Sequence, residues 1–129
     1  MVVDTSALLA VLFVEDDAPV FAQLLGSAPR LCLSAPNWLE SMQVATARHG
    51  HVGREGLEEL LTRLQVEIVA FDASLAQVGF EAWLRFGKGR HPAGLNLGDC
   101  FAYALAKQRG APLLFKGEDF TLTDLPAAR

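Results

Sequence analysis

The stretch MVVDTSALLAVL, residues 1–12, decides the fold that we expect for this chain. Val2 and Val3 form the core of a short buried strand that ends at Asp4. Thr5 or Ser6 can cap a following helix through Phe13, because short hydroxyl side chains satisfy the free N–H groups of a first helical turn. A buried strand that passes directly into a helix is typical of α/β proteins.

The same alternation of short apolar runs and helical patterns continues along the chain. Parallel strands need a crossover of a dozen or more residues, so we expect a mainly parallel sheet with helices on both faces. After residue 116 we expect a loop, a short helical turn and a last edge strand. The predicted strands are 2–3, 30–34, 67–71 and 112–115, and the predicted helices are 5–13, 16–26, 34–49, 53–65, 73–86 and 97–109.

The composition predicts one ordinary globular domain spanning residues 1–129. Apolar residues make up 51% of the chain, and 11 Lys+Arg oppose 15 Asp+Glu for a net charge of −4. This charge excludes a polycation that grips nucleic acid by electrostatics alone. Cys32 and Cys100 are too few for a disulfide framework, and no long apolar run predicts a membrane helix. We therefore expect buried free thiols and a cytoplasmic location, without membrane association.

Four acidic residues follow the predicted strands at the edge where α/β sheets place their sites. Asp4 ends the first strand, Glu40 lies one to two helical turns after the second, and Asp119 follows the fourth, beside Glu118. Asp99 lies three residues after Asn96, so both can face one site from the first turn of a helix. Each acid alone could be a helix cap or a solvated side chain, and their convergence indicates a site.

Clustered carboxylates need a counter-charge, and the sequence assigns no buried Lys or Arg to them. Magnesium is bound by oxygen ligands, usually one or two carboxylates with waters and substrate phosphate. The chain has no His or Cys at zinc-ligand spacing and no phosphate-binding glycine loop. The acids therefore favour metal-assisted phosphodiester chemistry over zinc or nucleophilic catalysis.

Four segments resemble PIN-domain ribonucleases, and especially the VapC toxins of VapBC toxin–antitoxin systems. The segments are VVDTSALLAVL at 2–12, APNWLES at 35–41, HPAGLNLGDCFAYALAK at 91–107 and PLLFKGEDFTLTDL at 112–125. The resemblance implies a PIN-like three-layer α/β/α sandwich around a mainly parallel sheet of four to five short strands. It also implies an endoribonuclease that depends on Mg²⁺ or Mn²⁺, homodimerisation, and neutralisation by a VapB-like antitoxin.

The resemblance also implies roles for individual residues. Asp4, Glu40 and Asp99 match the acidic triad of the family, and Asp119 matches its more variable fourth acid. The family often shows two acids one residue apart at this last position, and glycine at 117 replaces the first, so Glu118 remains an alternative to Asp119. Thr5 or Ser6 resembles a hydroxyl that supports the first acid, and Asn96 a polar residue beside the third.

Several basic and aromatic residues have both a functional and an ordinary interpretation. Arg85, Lys88 and Arg90 belong to a basic region before the helix of Asp99, and Lys116 follows the fourth strand. They can contact RNA phosphates, which supply sequence-independent affinity, or be ordinary solvated side chains. The aromatic residues Trp38, Phe80 and Trp83 are candidates for the core or for a dimer or antitoxin surface.

The sequence thus predicts a metal-dependent endoribonuclease that hydrolyses RNA through a metal-activated water. A non-catalytic PIN-like module that binds RNA or protein is the alternative. Receiver domains and aspartate-nucleophile phosphatases are disfavoured, because the acids that they need beside the first aspartate are replaced here by Thr5 and Ser6.

Overall fold

The computed structural model describes residues 1–128 and shows short strands that alternate with helices, as the sequence predicts. Arg129, the last residue of the predicted domain, lies outside the described residues. The strands are β1 (Val2–Val3), β2 (Cys32–Ser34), β3 (Glu67–Val69) and β4 (Leu113–Leu114). The helices are α1 (Thr5–Leu12), α2 (Ala18–Ser27), α3 (Ala35–Arg63), α4 (Ala73–Phe86) and α5 (Leu97–Arg109), and a 3₁₀ turn covers Asp119–Leu122.

The four strands form one parallel sheet in the order β3-β2-β1-β4. The expected last edge strand is reduced to a single parallel bridge between Leu113 and Ala127. Backbone hydrogen bonds from Leu113 N to Pro126 O (3.2 Å) and from Ala128 N to Leu113 O (3.0 Å) hold the tail there. The strands are shorter than the apolar runs that predicted them, because an apolar run reports burial and not pairing.

Alternate residues of β1, β2 and β4 enter two separate cores, which makes the molecule a three-layer α/β/α sandwich. Val2, Cys32 and Leu113 pack with α4 and α5, whereas their successors Val3, Leu33 and Leu114 pack with α1, α2 and α3. This is the two-residue period of a strand buried on both faces. The predicted PIN-like layer arrangement is therefore confirmed.

Two local predictions need correction. The N-cap of α1 is Asp4 rather than Thr5 or Ser6, because the Asp4 carboxylate accepts the Ser6 N–H. The helices predicted at 34–49 and 53–65 are the two halves of α3, which breaks at Gly50 (φ 60°, ψ −145°) and resumes at once. The predicted stop at Gly50 is correct, but no loop separates the halves.

Cys32 and Cys100 are buried free thiols, as expected. Burial raises the pKa of the Cys100 thiol to about 11, and the neighbouring Asp99 carboxylate adds to this rise. These thiols are therefore protonated at neutral pH and act as small apolar side chains. Among the helices within residues 1–128, none has both the length and the apolar character required to cross a membrane.

Candidate active site

The carboxyl ends of the parallel strands bring the four predicted acids into one electrostatic cluster. Asp4 follows β1 directly, Glu40 lies in the second turn of α3, Asp99 in the first turn of α5, and Asp119 begins the 3₁₀ turn after β4. The charges of Glu40 and Asp119 act on Asp4, and those of Asp4 and Asp119 act on Asp99. The tail contributes through Asp119, which favours it over Glu118 as the fourth acid.

The Asp4 carboxylate is buried and is held by Ser6. The Ser6 N–H and Oγ donate hydrogen bonds to Asp4 Oδ2 at 3.0 and 2.5 Å, and Ser6 Oγ in turn accepts the Lys116 N–H at 2.9 Å. Burial raises the pKa of Asp4 to about 6; the Ser6 hydrogen bonds oppose this rise, and the charges of Glu40 and Asp119 add to it. This chain of hydrogen bonds ties Asp4 to the end of β4.

The Glu40 carboxylate is held by a separate set of hydrogen bonds, of which the sequence analysis predicted only the participation of Thr5. Thr5 Oγ1 donates to Glu40 Oε1 at 2.6 Å, and Asn37 Nδ2 donates to the same oxygen at 3.3 Å. The fully buried Ser41 hydroxyl contacts Thr5 Oγ1 at 3.2 Å and the Asn37 carbonyl at 2.7 Å. Of the two hydroxyls proposed to support the first acid, Ser6 binds Asp4 and Thr5 binds Glu40.

Asp99 is positioned by a capping box at the start of α5. Asn96 Oδ1 accepts the Asp99 N–H at 2.9 Å, and Asp99 Oδ2 accepts the Asn96 N–H at 3.0 Å. Burial raises the pKa of Asp99 to about 7, and the charges of Asp4 and Asp119 add to this rise against the Asn96 hydrogen bond. The Asn96 side chain therefore supports Asp99 through the helix cap, as the i, i+3 spacing suggested.

The cluster carries negative charge that the protein leaves uncompensated. Within residues 1–128, no Lys, Arg or His forms an ion pair with Asp4, Glu40, Asp99 or Asp119. In the same residues, no three acidic, His or Cys side chains converge closely enough to hold one metal ion by themselves. The site is thus an open set of oxygen donors rather than a closed protein cage, which suits an ion that keeps several waters.

The predicted basic residues are distributed over separate local contacts. Arg85 pairs with Asp124 at 3.5 Å, and the Lys116 ammonium pairs with Glu15 at 2.5 Å and with Asp17 at 3.2 Å. The Arg90 guanidinium lies 5.0 Å from the centre of the Trp83 ring and donates to the Leu84 carbonyl. Lys88 is exposed in the same loop. The structure therefore does not gather these cations around the carboxylates.

Three supporting residues escaped the sequence analysis: Asn37, Ser41 and Gly98. Asn37 and Glu40 stand three residues apart in the first turns of α3, so their shared helix face could have indicated the contact. The role of Gly98 has no signal in the local pattern, because its neighbour Glu40 comes from another helix.

Comparisons with known proteins agree with this architecture. The sequence matches the PIN domain family over residues 1–125. A protein named Ribonuclease VapC from Mycolicibacterium smegmatis is 49% identical over 127 residues, covering 98% of both chains. Ribonuclease VapC30 from Mycobacterium tuberculosis is 47% identical over 125 residues, covering 97% of this chain and 95% of the relative.

Solved structures show the same fold at lower sequence identity. The Mycobacterium tuberculosis toxin VapC20, described as cleaving the sarcin-ricin loop, aligns with a TM-score of 0.79 at 19% identity over 96% of this chain and 95% of its own. VapBC2 from Rickettsia felis, bound to a DNA fragment from its promoter, aligns with a TM-score of 0.75 at 16% identity over 98% of this chain and 94% of its own. The fold, the matched family and the near-full-length relatives agree, and this chain therefore belongs to the PIN domain family, among relatives named VapC ribonucleases.

Proposed function

We propose that this protein is a Mg²⁺-dependent endoribonuclease, with Mn²⁺ as a possible substitute, and the toxin component of a VapBC-type toxin–antitoxin system. The proposal rests mainly on the closeness of Asp4 and Asp99. Both carboxylates are buried, both have a raised pKa, and neither forms an ion pair with a basic side chain in the described residues. Buried charges of one sign are costly unless something compensates them. A divalent cation held by Asp4 and Asp99 would compensate these charges and offer a ligand position to an RNA phosphate.

The donor set fits a hard divalent cation. All four side chains offer carboxylate oxygens, the ligands that Mg²⁺ and Mn²⁺ prefer. Asp4 and Asp99 would be the principal metal ligands. Glu40 would hold a second ion or orient the attacking water, and Asp119 would complete the cluster directly or through water.

The bound ion supplies Lewis-acid stabilisation of the phosphate and lowers the pKa of a water molecule. The protein residues supply position. Ser6 fixes one oxygen of Asp4, the Asn96 cap fixes one oxygen of Asp99, and Thr5 fixes Oε1 of Glu40. These hydrogen bonds fix one oxygen of each of the three carboxylates. The expected product is RNA cleaved to leave a 5′-phosphate.

RNA cleavage with Mg²⁺ by the wild type, Asp4→Asn and Asp99→Asn tests the assignment. We expect each variant to lose at least about 100-fold in rate, because an amide is a much poorer ligand for a hard cation. Asp72→Asn is the matched control, since Asp72 caps α4 through the Leu75 N–H and asparagine caps equally well. Equal cleavage by all four proteins would refute the assignment, and absence of Mn²⁺ binding by calorimetry would favour the non-catalytic module.

We further propose a VapB-like antitoxin partner, a homodimer and action in the reducing cytoplasm. Support comes from the toxin–antitoxin assemblies of similar fold in Klebsiella pneumoniae and Rickettsia felis. An apolar groove of about 380 Å³ between α4 and α5, lined by Phe80, Trp83 and Leu97 among others, offers a surface for protein contact. Co-purification with the product of a short adjacent reading frame, and its inhibition of cleavage, would support the antitoxin; an unrelated neighbouring gene would leave only the nuclease.

A further inference from the structure

The carboxylate of Glu40 lies directly against the backbone of Gly98. A Cβ atom added at Gly98 would stand 2.5 Å from Glu40 Oε2 and 3.1 Å from both Cδ and Oε1. Such distances are far below van der Waals contact, so any side chain at this position must displace the carboxylate. The backbone of Gly98 lies within α5 and its φ is not positive, so this position does not require glycine for conformational reasons.

A second contact fixes α3 against the same turn of α5. Asn37 is fully buried, and its Nδ2 donates to Glu40 Oε1 at 3.3 Å and to the Gly98 carbonyl at 3.0 Å. Both partners are acceptors, so the amide nitrogen must face them. Asn37 thereby holds the backbone of Gly98 and the carboxylate of Glu40 on one side chain, and Glu40 has little room to retreat without losing this bond.

We propose that Gly98 is a positioning residue that seats the Glu40 carboxylate against the first turn of α5, next to Asp99. The inference rests on the proposed nuclease function and adds a residue to it. Gly98 directly precedes Asp99, so the space left by its missing side chain lets the Glu40 carboxylate lie against the turn that carries Asp99. The Glu40 carboxylate is the flexible end of a long side chain. A methyl group at position 98 should therefore displace the carboxylate without disrupting the fold.

The variant Gly98→Ala should separate activity from stability. We expect kcat to fall about 10- to 100-fold with little change in KM, because a displacement of about 1 Å in a catalytic group has effects of this size. The melting temperature should stay equal or rise, since alanine favours helix over glycine. Gly26→Ala in α2 is the matched control, because nothing lies within 4 Å of a Cβ built there; its kcat should equal that of the wild type.

The double variant Gly98→Ala/Glu40→Asp tests the steric cause. Aspartate is one methylene shorter and makes room for the methyl group, so the double variant should be more active than the product of the two single losses predicts. An unchanged kcat in Gly98→Ala, or strictly multiplicative losses in the double variant, would overturn the proposal.

Calorimetric titration with Mn²⁺ separates this inference from the proposed function. A wild type that cleaves RNA while Gly98→Ala cleaves equally well refutes only the role of Gly98. If the wild type cleaves no RNA, the nuclease proposal fails, and the Mn²⁺ titration then decides the role of Gly98. A several-fold weaker Mn²⁺ affinity in Gly98→Ala than in Gly26→Ala supports the seat, and equal affinities overturn it.

Discussion

Asp4 serves the local fold and the site with the same carboxylate. It ends β1, caps α1 through the Ser6 N–H and lies 5% exposed at the centre of the acidic cluster. The sequence offered capping and metal binding as competing interpretations of Asp4. The structure shows that the capping contact occupies Oδ2, so the cap orients the carboxylate rather than competing with the site.

Replacing Ser6 with alanine should weaken the site more than the fold. The change removes the 2.5 Å hydrogen bond to Asp4 and the acceptor of the Lys116 N–H, while the Ser6 backbone N–H stays bound to Asp4. Residues that orient a metal ligand typically change affinity or activity 10- to 100-fold, and we expect a loss in this range. Mn²⁺ titration and RNA cleavage rates measure it.

Ser27→Ala is the matched control for this variant. The Ser27 hydroxyl donates a hydrogen bond to the Leu24 carbonyl, but Ser27 is exposed in α2 and contacts no acid of the cluster. It should bind Mn²⁺ and cleave RNA as the wild type does. A Ser6→Ala protein that matches Ser27→Ala in both assays would show that the hydroxyl does not orient Asp4.

At the scale of elements, helix α3 has a sharp kink that brings its two halves into close contact. It breaks at Gly50, where the positive φ suits glycine, and the chain turns so sharply that Gly53 meets the preceding half. A Cβ added at Gly53 would clash with the Ala45 carbonyl oxygen. The first half carries Asn37 and Glu40 of the site, and the second half contributes Leu57 and Leu61 to the core.

Gly53→Ala should therefore destabilise the protein. The methyl group meets backbone rather than a flexible side chain, and overpacking of this kind costs about 1–3 kcal/mol. We expect the melting temperature to fall by roughly 3–10 °C in thermal unfolding followed by circular dichroism. Gly26→Ala again serves as the control, and a Gly53→Ala protein as stable as that control would show that the two halves of α3 separate readily.

At the scale of the whole molecule, the excess of acidic over basic residues equals the number of acids in the cluster. The net charge of −4 equals the number of carboxylates in the cluster, so the remainder of the chain is balanced. Burial, and to a smaller degree the neighbouring acidic charges, raise the pKa values of Asp4 and Asp99, so ionising these carboxylates in the folded protein opposes folding. This cost is concentrated at the edge of the sheet where Asp4 and Asp99 lie.

The metal-free protein should consequently lose stability as the pH rises from 5 to 8. The folded-state pKa values, about 6 for Asp4 and about 7 for Asp99, exceed the ordinary aspartate pKa of 3.8, so the folded state binds more protons than the unfolded state in this window. Their stabilising contribution is complete below pH 3.8 and disappears as the pH passes these values. Asp124 does not oppose this trend, because its pKa of about 2 lies below the window.

Thermal melts in EDTA measure this dependence. We expect a melting temperature lower at pH 8 than at pH 5 by roughly 5 °C, and recovery at pH 8 when Mn²⁺ is added, because a ligand of the folded state stabilises it. The double variant Asp4→Asn/Asp99→Asn should be more stable than the wild type at pH 8 and insensitive to Mn²⁺. A wild type whose melting temperature rises from pH 5 to pH 8 in EDTA would show that ionising Asp4 and Asp99 does not oppose folding.

The sequence by itself determined the strand–helix alternation, the parallel sheet and the identity of the four acids. Short apolar runs, helix caps and strand-end positions are local signals, and they place Asp4, Glu40, Asp99 and Asp119 at one edge. The sequence could not assign separate partners to Thr5 and Ser6, because Thr5 meets Glu40 only after α3 has packed against α1, whereas Ser6 binds its near neighbour Asp4.

Only the tertiary structure decided what surrounds the acids. The seat of Glu40 on Gly98, the Asn37 contact between helices and the link from Lys116 through Ser6 join residues separated by 58, 61 and 110 positions. Such contacts leave no periodic trace, because each side chain obeys the pattern of its own element. The four carboxylates can therefore be predicted from the sequence, whereas their spacing and the raised pKa values of Asp4 and Asp99 arise from burial and packing.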